Sequence, residues 1–304
     1  MEFFQLQAFI AVAELRSFGD AAEELARSQP AISISIKKLE EEVGVPLLDR
    51  YRRDIRLTDA GQIVFEYAQK ILNLRSEISN SIDELKQLHH GKVSIGANES
   101  TNLYLLPKMI LSYRSHYPDI KVEVFRSSSV ELPKEVKDRN LDFGIVAFDP
   151  GDPELVSFAI AEDELILVVP PKHRLARKRK VTIQELGQEI FVAHNVQTPS
   201  RDYVIGFFRR AGVPLNIGIE LSSMETIKEF VQMNQGIAIL PKLALEKELR
   251  EHKLIRVRVE GFEHKRTLRV IYLHDKVHSQ AAERFLELLN ARTQRSSSAT
   301  IVPG

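Results

Sequence analysis

The spacing of apolar residues changes character at Lys92, and no single uniform architecture can accommodate both halves. Before that point apolar residues recur every three or four positions, which marks amphipathic helices. After it, short apolar runs alternate with helical patterns, which marks α/β units with largely parallel sheets. A chain of 304 residues also exceeds what one core usually organises, about 100–150 residues. The predicted class is therefore α + α/β, with a small helical domain ahead of a larger mixed one.

In the helical part, Leu6, Phe9, Ile10 and Ala13 predict one helix face, and Phe18, Ala21, Ala22 and Leu25 a second. A third helix opens at Ser28-Gln29-Pro30 and carries Ile32, Ile36, Leu39 and Val43 on one side. Ser28 suits its N-cap, Pro30 its first turn and Gly44 its end. The stretch from Val45 to Arg56 fits a two-stranded ribbon around a charged turn, and Thr58-Asp59-Ala60-Gly61 the start of a long helix. Along that helix Val64, Ala68, Ile71, Arg75, Ile78, Ile82 and Leu85 step by four and three. This heptad seam, interrupted only by Arg75, predicts pairing with a second chain.

Beyond Lys92, strands are predicted over 93–96, 120–125, 142–147, 164–169, 189–193, 217–221, 236–240 and 268–273. Helices are predicted over 103–115, 131–138, 202–211, 224–233 and 279–289. The Ser-rich tail over 293–304 reads as disordered.

Composition narrows the function classes. Lys plus Arg and Asp plus Glu are both 42, so nucleic-acid contact would have to come from a local patch. The absence of cysteine excludes disulfides, thiolate metal sites and thiol redox chemistry. The start is too polar for a secretory signal and no apolar run approaches the roughly 20 residues of a membrane span, so a soluble cytoplasmic protein without membrane contact is expected. No nucleophile-elbow, phosphate-loop, dinucleotide or HExxH pattern occurs; neither an enzyme, a cofactor nor a metal site is expected.

One arrangement does carry chemistry. A helix-turn-helix needs a small residue where its helices cross, a tight turn, and a second helix with a polar outer face. Ala22 and Arg27-Ser28 supply the first two. Gln29, Pro30, Ser33, Ile34 and Lys37 form the outer face near the N-terminal half of the third helix, the part that reaches base edges in the major groove. Gln29 can bond adenine, Ser33 can donate or accept, and Ile34 can touch a thymine methyl. Arg50, Arg52, Arg53 and Arg56 offer a local positive patch for phosphates or the adjacent minor groove. Double-stranded DNA is the expected partner.

At these residues the sequence resembles the LysR-type transcriptional regulators. The resemblance rests on Ser17-Phe18, Ala21-Ala22, Leu25, Ser28-Gln29-Pro30-Ala31, Ser33, Ile36, Leu39-Glu40, Gly44-Val45-Pro46-Leu47-Leu48, Arg50 and Leu57-Thr58-Asp59-Ala60-Gly61. It extends through Leu105-Leu106-Pro107, Tyr117-Pro118, Leu141-Asp142, His173-Arg174-Leu175, Gly236-Ile237 and Leu240-Pro241. Two departures stand out. Ile34-Ser35 replaces a pair that is often polar or basic in the family, so base reading shifts toward thymine contacts and DNA shape. Gln197-Thr198-Pro199-Ser200 replaces a segment that is often glycine-rich.

The resemblance implies a winged helix-turn-helix over 1–58, a dimerisation linker helix over 59–90 and an effector-binding domain over 91–292. It implies a periplasmic-binding-protein-like fold for that domain, with lobe I over 91–162 and 267–292 and lobe II over 163–266. It further implies a homotetramer built as a dimer of dimers, and allows contact with RNA polymerase. Ligands of open α/β sheets lie beyond the carboxyl ends of strands. That rule points to Asn98, Ser100, Thr101, Phe148, His194, Thr198, Ser200 and Arg201 as effector-binding residues, a set suited to a small anion. The plainer account makes Ser100 and Ser200 N-caps and Arg201 a surface charge. The competing function is a constitutive or architectural DNA-binding regulator whose cleft is vestigial.

Overall fold

The computed structural model describes residues 1–49, 55–86 and 91–298, with the side chains of 83–86 and 291–298 left aside. The chain forms two compact units, one within residues 1–88 (joined by 138–140) and one within 89–304.

The first unit contains α1 (Phe3–Leu15), α2 (Phe18–Glu24), α3 (Gln29–Val43), the strands β1 (Leu48–Asp49) and β2 (Arg56–Leu57), and α4 (Asp59–Lys86). Leu6, Phe9 and Val12 of α1, Ala21 and Ala22 of α2, and Ile32, Ile36 and Leu39 of α3 make one buried core. Ala22 stands where a small residue was needed. Val43, expected on the same face of α3, is instead 38% exposed beside the C-cap Gly44, whose φ of 83° is the left-handed conformation glycine adopts most easily. The antiparallel ribbon forms as expected, pairing Leu48 with Leu57 and Asp49 with Arg56. Glu40 Oε1 accepts hydrogen bonds from the backbone N–H groups of Leu47 (2.8 Å) and Leu48 (3.2 Å), tying the ribbon to α3. Thr58 caps α4 by accepting from the Gly61 N–H at 2.9 Å. At Gly61 a Cβ would stand 2.0 Å from the Leu47 carbonyl oxygen, so glycine permits the close approach of helix and ribbon.

The heptad seam needs correction. Ala68 is buried in the core of its own unit, with Val64 and Ile71 packed against that core. Arg75 lays its guanidinium over the Phe3 ring, 4.6 Å from the centroid. These four positions therefore serve the helix's own domain. The apolar residues that α4 exposes are Ile63, Tyr67, Leu74, Ile78 and Ile82. At about 100° per residue the first four lie within roughly 60° of one another, on a stripe beside the expected one. Ile78 and Ile82 are common to both readings; the side chain of Leu85 lies outside the described residues.

The second unit opens with β3 (Lys92–Ala97), α5 (Glu99–Tyr104), α6 (Leu106–His116), β4 (Lys121–Arg126), α7 (Leu132–Lys137) and β5 (Phe143–Val146). A long strand, β6 (Leu155–Val169), leads to β7 (Lys180–Val181), α8 (Ile183–Leu186), β8 (Phe191–His194), α9 (Pro199–Arg210), β9 (Ile217–Leu221), α10 (Met224–Gln232), β10 (Ala238–Pro241), α11 (Glu246–Arg250) and β11 (Ile255–Val259). A second long strand, β12 (Lys265–Leu273), returns the chain to α12 (Gln280–Ser298).

Among the described residues the strands run β4-β3-β5-β12-β6-β11-β7, with β10 also on β6 and β8 paired with β9. Pairing is parallel for β3 with β4 and β5 and for β8 with β9, but antiparallel wherever β10, β11 or β12 meets β6. The sheets are thus mixed, because two long strands must cross in opposite directions between two lobes. Lobe I packs Val93, Ile95, Phe143, Val270 and Phe285 into one core. The far half of β6 is buried on both faces: Leu165, Leu167 and Val169 enter one core of lobe II, and Ile166 and Val168 another. The first part of β6, Leu155–Ile160, was not expected as strand. In the tail, the helix continues through Ser298, against the expectation of disorder from Thr293; residues 299–304 lie outside the described ones.

Candidate functional site

Two places gather the residues singled out from the sequence. The first is the outer face of α3. Ala26 takes a positive φ of 50° in the turn, and the Arg27 N–H closes it by donating to the Ala22 carbonyl at 2.9 Å. Ser28 occupies the N-cap position with extended backbone, but its side chain makes no cap bond. Ser28, Gln29, Pro30, Ile34 and Lys37 are exposed and Ser33 is half-buried, while the opposite face is closed against the core. Lys37 faces Glu41 at 3.6 Å, a contact too exposed to hold it. Arg56 stands on β2, exposed. Arg50, Arg52 and Arg53 lie outside the described residues.

The second place is a cavity of about 460 Å³ in the α/β unit. Of the expected effector residues it is lined by Asn98, Ser100, Phe148, His194, Thr198, Ser200 and Arg201. Thr101 is not among them; it is fully buried one turn behind, and its N–H donates to the Asn98 side chain at 3.0 Å. Asn98, rather than Ser100, is therefore the N-cap of α5, and Thr198 caps α9 by accepting from the Arg201 N–H at 3.2 Å. Ser100 is buried and donates to Asn98 at 3.0 Å. Arg201 lines the cavity with its guanidinium already engaged, bonding the His194 carbonyl and the Glu220 carboxylate.

Residues the sequence reading passed over organise this cavity. Glu99, next to the N-cap Asn98, reaches from α5 to lobe II and is 10% exposed. One carboxylate oxygen accepts from the Met224 N–H at 3.1 Å, the other from His194 Nε2 at 3.0 Å and Arg126 at 3.4 Å. Ser223, the N-cap of α10, does not cap the helix with its side chain, so Glu99 supplies from another lobe the acceptor that helix start requires. His194 Nδ1 accepts from the Val196 N–H at 3.1 Å, which leaves the ring proton on Nε2, facing Glu99. Arg126 also donates to the Ser222 carbonyl at 3.1 Å.

Deeper in, Arg266 on β12 and its cross-strand partner Asp163 on β6 form a buried pair through two bonds of 2.9 and 2.6 Å. The other Asp163 oxygen accepts from the Leu243 N–H at 3.0 Å. Beside this pair His264 stacks on Tyr203, with ring centroids 4.1 Å apart. Burial, with the nearby Arg266 charge, holds its pKa below the usual histidine value. Tyr104, Glu225, Lys228 and Glu248 make a second polar cluster; hydrogen bonds to Glu248, Glu225 and Tyr104 overcome the burial that opposes the Lys228 charge, and raise its pKa. Among the described residues there is no metal-binding group of His, Asp and Glu, and no helix long and apolar enough to cross a membrane.

Both parts of the chain match known protein families. Residues 3–62 fit the model of the bacterial regulatory helix-turn-helix protein, lysR family, and residues 86–294 that of the LysR substrate binding domain. The chain is 34% identical over 287 residues to a probable RuBisCO transcriptional regulator of Trichormus variabilis, covering 92% of this chain and 85% of that one. It is 28% identical over 291 residues to the RuBisCO operon transcriptional regulator of Allochromatium vinosum, covering 96% of each. Among solved structures, the LysR family regulator CbnR aligns with a TM-score of 0.72 at 24% identity, covering 96% of this chain and 99% of that one. The regulatory domain of Synechocystis PCC6803 CcmR in complex with 2-PG aligns with a TM-score of 0.61 at 24% identity, covering 67% and 97%. At such identity these structures speak for the fold.

Proposed function

Because the chain belongs to the LysR family of bacterial transcriptional regulators, we propose that it reads operator DNA with the outer face of α3 and adjusts that binding to a ligand held in the cavity. The observation that carries this reading is the Glu99 clasp. A single carboxylate on lobe I holds two groups of lobe II, the Met224 N–H and His194, at the rim of the cavity. A ligand that engages Asn98 and Ser100 beside it shifts the lobes only through its differential affinity for their arrangements, typically worth about 1–3 kcal/mol.

On the DNA side, Gln29, Ser33 and Ile34 read bases, Ser28 and Pro30 shape the helix start, and Lys37, Arg56 and the arginines 50, 52 and 53 meet phosphate. The helix α4 pairs two chains through Ile63, Tyr67, Leu74, Ile78 and Ile82. The lobe boundaries 91–162 with 267–292, and 163–266, are supported by the buried Asp163–Arg266 pair that sits at the crossing. Operons of the RuBisCO type are the first promoters to test.

Footprinting of the full chain on such a promoter, with and without ligand, tests the reading. The expected result is a protected site whose extent changes with ligand in the wild type, and no longer changes in Glu99→Ala. Gln29→Ala should cost about 1–3 kcal/mol at its base contact and relax sequence preference. A footprint indifferent to every ligand that binds the cavity would favour the constitutive regulator with a vestigial cleft.

A further inference from the structure

The cavity's two walls differ in chemistry, and the difference bears on which ligand it takes; the inference rests on the cavity being the effector site. On the lobe I side stand Asn98, Ser100 and the run Ser127-Ser128-Ser129. Ser129 is buried and accepts from the Asn98 amide at 2.8 Å, so this wall is a built array of hydroxyl and amide groups rather than loose surface. Facing it, lobe II contributes Leu165, Phe191, Val204, Leu215, Ile217 and Ile239. All six belong to the lobe II core or pack against it, yet Val204, Leu215, Ile217 and Ile239 remain only half-buried. The surface they leave uncovered is aliphatic and faces the cavity.

Charge supplies the second constraint. Three arginines line the cavity, and each already meets a carboxylate: Arg126 with Glu99 at 3.4 Å, Arg266 with Asp163 at 2.6 Å, and Arg201 with Glu220. Glu131 adds a further negative charge to the lining. A multiply charged ligand would have to break one of these pairs or stand unpaired beside Glu99 and Glu131, and burying an unpaired charge is expensive. A single carboxylate needs far less. It can be met by the hydroxyls and by Arg126, which is 58% exposed and the most loosely held of the three.

We infer that the cavity takes a singly charged organic acid with an apolar body, its head on the Asn98–Ser100–Ser129 wall and its aromatic or medium-chain body on the aliphatic wall of lobe II. The volume of about 460 Å³ falls in the usual range for small-molecule sites, roughly 300–1,000 Å³, and far exceeds what a two-carbon acid fills.

Calorimetric titration of the full chain with acetate, butyrate, hexanoate, octanoate and phenylacetate, against phosphate, sulfate and succinate, tests this. Affinity should rise about fourfold per added methylene from butyrate upward, as expected for burial of apolar surface. Leu215→Asn should weaken octanoate at least tenfold. Leu215→Phe, which keeps the wall apolar but fills space, should shorten the longest acid accepted; both variants are checked for a retained cooperative unfolding transition. Equal affinity along the series, or no heat from any acid, overturns the inference. Tightest binding by phosphate, sulfate or succinate overturns it while leaving the cavity as the effector site. Chain-length-dependent binding that leaves the footprint unchanged supports the ligand class and overturns effector control instead.

Discussion

His264 illustrates how one side chain makes stability depend on pH. Its pKa is lowered in the folded protein by burial and by Arg266, so the unfolded chain binds this proton more readily than the folded one. Stability is then undiminished above the ordinary histidine pKa of about 6.5, and is lost as pH falls from there toward the folded value. Urea midpoints measured from pH 8 to pH 5 should decline, and the decline should be shallower in His264→Gln. An equal slope in both proteins would show that other groups cause it. Legibility at this scale was uneven. Asn98, Ser100 and Thr198 could be placed because strand ends and N-caps are local patterns. Glu99 could not: its partners Met224 and His194 are more than ninety positions away, and nothing beside it in the chain marks that reach.

Among elements, the two crossing strands are the most exposed to single changes. Asp163 and Arg266 face one another across β6 and β12, both nearly closed to water. Removing one partner strands the other charge, so Asp163→Ala should cost about 3–5 kcal/mol in chemical denaturation, whereas replacing both by apolar residues of similar volume should recover most of it. If the double variant were as unstable as the single, the hydrogen bond from Leu243 rather than the ion pair would be the important contact. Most strand positions were readable, because apolar runs bounded by turns are a local signal. The first part of β6 was not, since its residues are only half-buried against β12 and their partners lie over a hundred positions on.

At the level of the whole molecule, the exposed stripe on α4 links sequence to assembly. Leu74 and Ile78 are 45% and 55% exposed, more than a lone soluble helix needs. Leu74→Asp with Ile78→Asp should halve the sedimenting mass and weaken operator binding, with helicity largely retained. A mass unchanged by both substitutions would place the pairing surface elsewhere. The seam expected from the heptad count differs from this stripe for a definite reason. Periodicity shows that a face is apolar, and α4 has two adjacent apolar faces, one of which packs into its own domain's core, with Ala68 buried there and Phe65 edge-on to Phe9 of α1.

Local regularities along the chain were enough for the helical head, its turn, the ribbon, the change to α/β units and the family to which the chain belongs. They suffice because caps, turns and apolar periods act over fewer than about eight residues, and the chain carries them in order. Folding settled what depends on distant partners. It assigned Ala68 to the head's own core, set Arg201 against Glu220, brought Glu99 to the start of α10, and opened an aliphatic wall opposite a row of serines. Those outcomes follow from packing and charge pairing across long stretches of chain, where a residue's neighbours in space have no fixed spacing in sequence.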